Sequence, residues 1–224
     1  MVLYIIRHAY SRANTPLQHP WDPRVDAYEE SDCSLTHTGI KQAKLLGDRM
    51  ANVEVDYLLC SPYHRAVATA AYAISKMDKK PVIEILPDLI ELKSGYDEIH
   101  VPDDALCEMY PWTEYQHLPP VYEKLDGSKE AAYERAEAVR DYILSRFTKH
   151  DKVMIVSHRN FLRTFNYVLS GFPRDRVGEI HLEVDNASIS VIEFVDEGTL
   201  VRRLNENAYL GELAGYREKK PGNK

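Results

Sequence analysis

The strongest constraint on the fold is an apolar run that stops abruptly in charge. Val2-Leu-Tyr-Ile-Ile6 shows no polar alternation, and Arg7-His8 follow it at once. A strand with one wet face alternates apolar and polar residues, so a run apolar at every position suits a strand buried on both faces. Two more runs repeat the pattern. Tyr57-Leu-Leu-Cys60 leads into Ser61-Pro62, and Lys152-Val-Met-Ile-Val156 leads into Ser157-His158. Val82 to Leu86 reads as a further buried strand. Between the runs lie helical stretches: Thr38 to Met50, Tyr63 to Ser75, Glu130 to Phe147 and Asn160 to Leu169. Val139, Ile143 and Phe147 form one apolar stripe; Phe161, Phe165, Val168 and Leu169 form another. Ser188 to Val195 and Thr199 to Leu204 read as two strands joined by Asp196-Glu-Gly198. Strands alternating with helices predict an α/β fold, a three-layer α/β/α sandwich around a mostly parallel central sheet. Ligands in such folds bind beyond the C-terminal ends of the strands.

Residues 84–126 differ from the rest. They hold eleven Asp/Glu, five prolines and only Lys93 and Lys124 as strong bases, with Tyr96, Tyr110, Trp112, Tyr115 and Tyr122 interspersed. A long segment with little periodicity is expected to be a lid or insertion over a site, or a surface excursion whose aromatics pack down. The remainder reads as one catalytic domain over residues 1–216, followed by a flexible basic tail at 217–224.

Composition narrows the class. A chain of 224 residues buries a full core without staples. A net charge of −7 gives no basic face for nucleic acid. No stretch approaches the ~20 apolar residues of a membrane helix, and the N-terminal run is too short for a signal h-region. Cys33, Cys60 and Cys107 are widely spaced and odd in number, which suits reduced thiols in a cytoplasmic protein. The sequon Asn186-Ala-Ser188 is then unused. No zinc spacing, P-loop or dinucleotide fingerprint appears, so no metal or cofactor is expected.

The three strand ends carry the chemistry. Arg7 and His8, with Ser11 and Asn14 just beyond, leave the first strand; Ser61 and Arg65 follow the second; Ser157 and His158 end the third long run. If the fold brings them together, two arginines and two histidines share one edge. Their mutual repulsion is relieved by an anion between them. A phosphoryl group fits, because its oxygens match guanidinium forks.

Arg7-His8-Ala9-Tyr10-Ser11 resembles the RHG(E/Q)(S/T) motif of the histidine phosphatase superfamily, the phosphoglycerate-mutase-like group. Asn14, Leu35-Thr36-x-x-Gly39-x-x-Gln42-Ala43, Ser61-Pro62-x-x-Arg65-Ala66 with Thr69-Ala70, Leu89-x-Glu91 with Gly95, and Val156-Ser157-His158 with Arg163 follow in the family's order. Asn186 to Ser190, Asn205 and Leu210 resemble its C-terminal pattern. The resemblance implies a phosphoglycerate-mutase-like fold and a small phosphorylated substrate. It implies that His8 is the nucleophile, its second ring nitrogen donating to a backbone carbonyl. It also implies that Arg7, Arg65 and His158 hold the phosphoryl oxygens, with Ser11 and Asn14 in support. Glu91 becomes the general acid and then the base; Asp88 and Glu98 are its neighbours and competitors.

Two residues depart from the pattern. Ala9 and Arg159 stand where the family usually has Gly after each histidine. Ala9 fits if its backbone angle suits an L-residue. Arg159 either binds an anionic group of the substrate or turns to solvent. Hydrolysis is expected rather than mutase-type phosphotransfer, because the acidic 84–126 segment repels a bisphosphorylated intermediate. A non-catalytic phosphate-binding relative is the third possibility. A cysteine phosphatase is not expected: Cys60 and Arg65 stand one residue too close, with Pro62 and no glycine between them.

Overall fold

The computed structural model describes residues 1–15, 33–92, 103–122, 128–177 and 179–217. Lys93, Gly95, Tyr96, Glu98, Lys124 and the tail beyond 217 lie outside the described residues.

One seven-stranded sheet organises the chain. Its strands are β1 (Val2–Arg7), β2 (Tyr57–Cys60), β3 (Ile83–Ile85), β4 (Tyr115–His117), β5 (Lys152–Ser157), β6 (Ile189–Val195) and β7 (Gly198–Glu206). They lie in the order β4-β3-β2-β5-β1-β6-β7. The first five pair in parallel, and β6 and β7 add an antiparallel edge. The helices are α1 (His37–Met50), α2 (His64–Ile74), α3 (Asp103–Met109), α4 (Lys129–Arg146) and α5 (Arg159–Leu169).

The continuous apolar runs are explained by two cores. Alternate side chains of a strand point to opposite faces. Leu3 and Ile5 of β1, Leu59 of β2, and Val153 and Ile155 of β5 pack on one face with Val139, Ile143, Phe161 and Phe165 of α4 and α5. Ile6, Leu58, Cys60, Met154 and Val156 pack on the other with Leu46 of α1 and the alanines of α2. Both faces are covered at these strands, and the buried polar exception in β3, Glu84, is paired with Arg146.

Expected and observed boundaries agree within about a residue for most elements, the usual scatter of helix and strand ends. Helix α2 starts at His64, leaving Pro62 outside it in the turn, with Tyr63 as N-cap. The acidic segment holds more regular structure than its composition announces. It contains α3, and Tyr115–His117 pairs in parallel with β3 as the edge strand β4. A three-residue strand is too short to display a period, which is why the sequence does not reveal it.

Candidate active site

Strands β2, β5 and β1 are neighbours, and their C-terminal ends lie in register. Arg7 is level with Ser157, and Cys60 with Val156. Beyond the ladder, His8 N–H donates to the Ser157 carbonyl at 2.9 Å and Ser61 N–H to the Val156 carbonyl at 3.0 Å. Residues 8, 61 and 158 therefore leave the sheet side by side. The His8 and His158 rings lie 5.1 Å apart, and Tyr63 meets His158 edge-on at 5.2 Å. The Arg65 guanidinium lies over the Tyr63 ring at 4.6 Å. Arg7, His8, Arg65 and His158 are all buried.

The His8 tautomer follows from its partner. Nδ1 is 2.8 Å from the carbonyl oxygen of Ala9, which can only accept. Nδ1 therefore carries the proton, and Nε2 keeps its lone pair. Burial, then Arg65 and Arg7, push the His8 pKa well below its ordinary value; the Ala9 hydrogen bond opposes them. His158 is pushed well below by burial and then by Arg65, His8 and Arg7. Both rings are neutral in the free site, so an imidazolium at His158 arises only if an anion enters. His158 Nε2 and Ser61 Oγ lie 2.7 Å apart, a hydrogen bond either atom can donate. Burial and the neighbouring Arg159 lower Arg7 to about 10, against Glu91 and Asp185, and it stays charged at neutral pH. The result is a buried site in which two arginines surround an unprotonated imidazole nitrogen.

The loop after β1 is pinned from both helices on its side. Ala9 N–H donates to Thr69 Oγ1 on α2 at 3.0 Å, and Tyr10 N–H to Gln42 Oε1 on α1 at 2.8 Å. Thr36, the N-cap of α1, donates to the Tyr10 carbonyl and accepts from Gly39 N–H. A Cβ on Gly39 would lie 1.9 Å from the Tyr10 carbonyl oxygen, so only glycine lets α1 approach the loop. Ala9 is buried without a left-handed backbone, so its methyl is accommodated.

A second pinning comes from residues 182–188. Arg7 Nη1 donates to the Val184 carbonyl at 2.8 Å, and Arg163 Nε to that of Leu182 at 2.9 Å. Asn186 Nδ2 donates to the His8 carbonyl at 2.9 Å and to Asn14 Oδ1 at 3.0 Å. Ser11 supplies two further donors to Asn14 Oδ1, from its backbone N–H and its hydroxyl. Asn186 is thus buried in the site wall, out of reach as a glycosylation acceptor. Ala187 holds φ 56°, a left-handed conformation costing ~1–2 kcal/mol for an L-residue.

Glu91 lies at the N-terminus of α5. Oε1 accepts from Leu92 and Phe161 N–H, and Oε2 from Asn160 N–H and its side-chain amide. Its charge is felt by Arg7. Asp88 is buried and spends its two oxygens on Val121 and Tyr122 N–H, tethering that segment. Arg159 pairs with Glu183 at 2.7 Å. Arg217, the first residue of the expected tail, lies 3.7 Å from Glu183. Cys60 is fully buried, and burial drives its thiol pKa well upward, the reverse of what a nucleophilic thiolate needs.

The model of the histidine phosphatase superfamily, branch 1, matches residues 3–207. The chain belongs to this superfamily. As a histidine phosphatase it is a phosphomonoester hydrolase by class, and curated relatives carry phosphatase names. It is 29% identical to the adenosylcobalamin/alpha-ribazole phosphatase of Escherichia coli, over 93% of this chain and 97% of that one. It is 27% identical to phosphoserine phosphatase 1 of Hydrogenobacter thermophilus, over 94% and 95%. Its fold matches the alpha-ribazole phosphatase of Shigella flexneri with a TM-score of 0.63 and 27% identity, covering 92% and 96%. Among the described residues of this histidine phosphatase, no helix is long and apolar enough to cross a membrane. Sequence reasoning named Gln42, Thr69 and Asn186 only as pattern matches; their work in holding the His8 loop needs the fold to be seen.

Proposed function

We propose that this histidine phosphatase hydrolyses a small phosphate monoester through a phosphohistidine on His8. The carrying observation is the Nδ1–H bond to the Ala9 carbonyl, which leaves His8 Nε2 as a bare nucleophile among Arg7, Arg65 and His158. The Nε2 lone pair forms the N–P bond as the ester P–O bond breaks. Arg7, Arg65 and His158, with Ser11 and Asn14 at the edge, neutralise the phosphoryl oxygens; positioning and charge compensation are most of what phosphoryl transfer requires. Glu91 gives a proton to the leaving oxygen. Water then loses a proton to the Glu91 carboxylate, its oxygen displaces Nε2, and phosphate is released. The anchoring of Glu91 at the N-terminus of α5 supports the base half of this cycle, because its N–H donors hold the carboxylate in place to take the proton of water.

Rapid quench with labelled p-nitrophenyl phosphate tests the reading. An acid-labile, base-stable phosphoenzyme is expected, absent in His8→Ala; labelling of His8→Ala at the wild-type level overturns it. Mutase-type transfer is the second reading, favoured only by the cation at Arg159. Given 3-phosphoglycerate and a bisphosphoglycerate primer, the enzyme is expected not to interconvert the isomers.

A further inference from the structure

Arg159 follows His158 directly and opens α5, where the family's motif has glycine. Its Nη2 is 2.7 Å from Glu183 Oε2, while its Nε is buried with no hydrogen-bond partner among the described residues. Glu183 is the neighbour of Val184, whose carbonyl holds Arg7. The Arg159–Glu183 pair therefore stands beside the arginine that faces the phosphoryl group, close enough for Arg159 to act electrostatically on Arg7. Arg217 lies 3.7 Å from the same Glu183 oxygen and 4.0 Å from Asp185.

Two facts need explaining together. A long cation has been placed at the rim of a site already crowded with positive charge, and its fork is used on one side only. A guanidinium presents parallel N–H groups suited to a carboxylate taken bidentately. Here Glu183 takes one donor, Nη2, and the buried Nε donor is left over. The pair is short but solvent-screened, with Glu183 about half exposed, so an incoming carboxylate of the same shape replaces Glu183 at little cost. A second phosphate suits the rim less well, because Glu183 and Asp185 already balance Arg159 and Arg217 and repel a dianion.

We propose that Arg159 is a subsite for a carboxylate on the alcohol part of the substrate, with Glu183 as the counter-anion which that carboxylate displaces. The substrate class is a phosphate monoester of a small hydroxy acid or hydroxy amino acid. This deepens, and rests on, the phosphatase reading.

The test compares kcat/KM for O-phosphoserine and 3-phosphoglycerate with that for phosphoethanolamine and glycerol 3-phosphate, in wild type, Arg159→Gln and Glu183→Gln. Wild type is expected to prefer the carboxylates at least tenfold. That ratio falls tenfold or more in Arg159→Gln, chiefly through KM, and rises in Glu183→Gln. The ratio is internal to each preparation, so a partial folding loss cancels. A wild-type ratio near one, or an unchanged ratio in Arg159→Gln, overturns the subsite while p-nitrophenyl phosphate turnover leaves the phosphatase reading standing. A ratio unmoved in Glu183→Gln overturns the displacement. If wild type turns over no ester at all, p-nitrophenyl phosphate included, both proposals fall.

Discussion

Asn186 Nδ2 lies 2.9 Å from the carbonyl oxygen of His8, which also accepts from Ala187 N–H at 3.3 Å. The same Asn186 amide reaches Asn14, so one side chain joins the backbone of His8 to the loop that follows it. Asn186→Ala removes both bonds, while the His8 carbonyl keeps Ala187 N–H and Asn14 Oδ1 keeps its Ser11 donors, so each lost bond costs ~0.5–1.5 kcal/mol. We expect kcat to fall about tenfold or more with KM for p-nitrophenyl phosphate little changed. Steady-state kinetics check this, and a variant with wild-type kcat removes Asn186 from the positioning of His8.

Arg65→Ala is expected to lower kcat/KM roughly 100-fold or more, by the usual loss on removing one preorganised donor to a developing anion. Arg65→Lys keeps the charge but not the fork and is expected to recover only part of it. Near-normal turnover by Arg65→Ala contradicts the proposed role of Arg65.

Acid should destabilise this protein through its two buried imidazoles. Their folded pKa values lie well below the ordinary one. Below about pH 6.5 the unfolded chain takes up protons that the folded chain refuses, so stability falls as pH drops. Above that pH these groups contribute no further pH dependence. Each contributes a slope of up to about 1.4 kcal/mol per pH unit. Urea unfolding between pH 7.5 and 5.5 measures it, and the slope is expected to shrink in His8→Ala. An identical slope in that variant means His8 takes up protons in the folded state as readily as in the unfolded one.

Gly39→Ala forces a methyl against the Tyr10 carbonyl. Because the near atom is backbone, α1 or the loop must move, and overpacking of this kind costs about 1–3 kcal/mol. At roughly 2–4 °C per kcal/mol for a chain of this size, Tm drops measurably. Thermal unfolding and turnover are expected to fall together, since the displaced loop carries His8.

Glu91→Gln removes the transferable proton and keeps one of the two acceptor oxygens that anchor the side chain to α5. Esters of poor leaving groups are expected to slow by ~10²-fold or more, the usual contribution of acid–base catalysis, and p-nitrophenyl phosphate far less. Equal slowing of both substrates assigns Glu91 to the α5 cap alone.

Much of this architecture can be read from the chain because its constraints are local. Val2 to Ile6 and Val153 to Val156 are apolar at every position, which only a doubly covered strand demands. The basic and imidazole residues that end them, Arg7, His8 and His158, therefore point to a common edge. What cannot be read is what depends on meetings between distant segments. Nothing in Val184 or Asn186 announces that residues 182–188 wrap the His8 loop, because a backbone carbonyl has no sequence signature. Strand β4 is hidden by its brevity. The pairing of Arg159 with Glu183 depends on a rotamer, and the sequence leaves both directions open.

Strand β1 lies between β5 and β6, with Val2 level with Lys152 on one side and Glu193 on the other. Its partners are distant along the chain, and closing such long loops is slow. His8 cannot acquire its neighbours until β5 and β6 have paired with β1 across these long separations. Recovery of phosphatase turnover after dilution from denaturant should therefore lag behind the recovery of helical signal, and the enzyme becomes its own reporter of the last long-range pairing in the sheet.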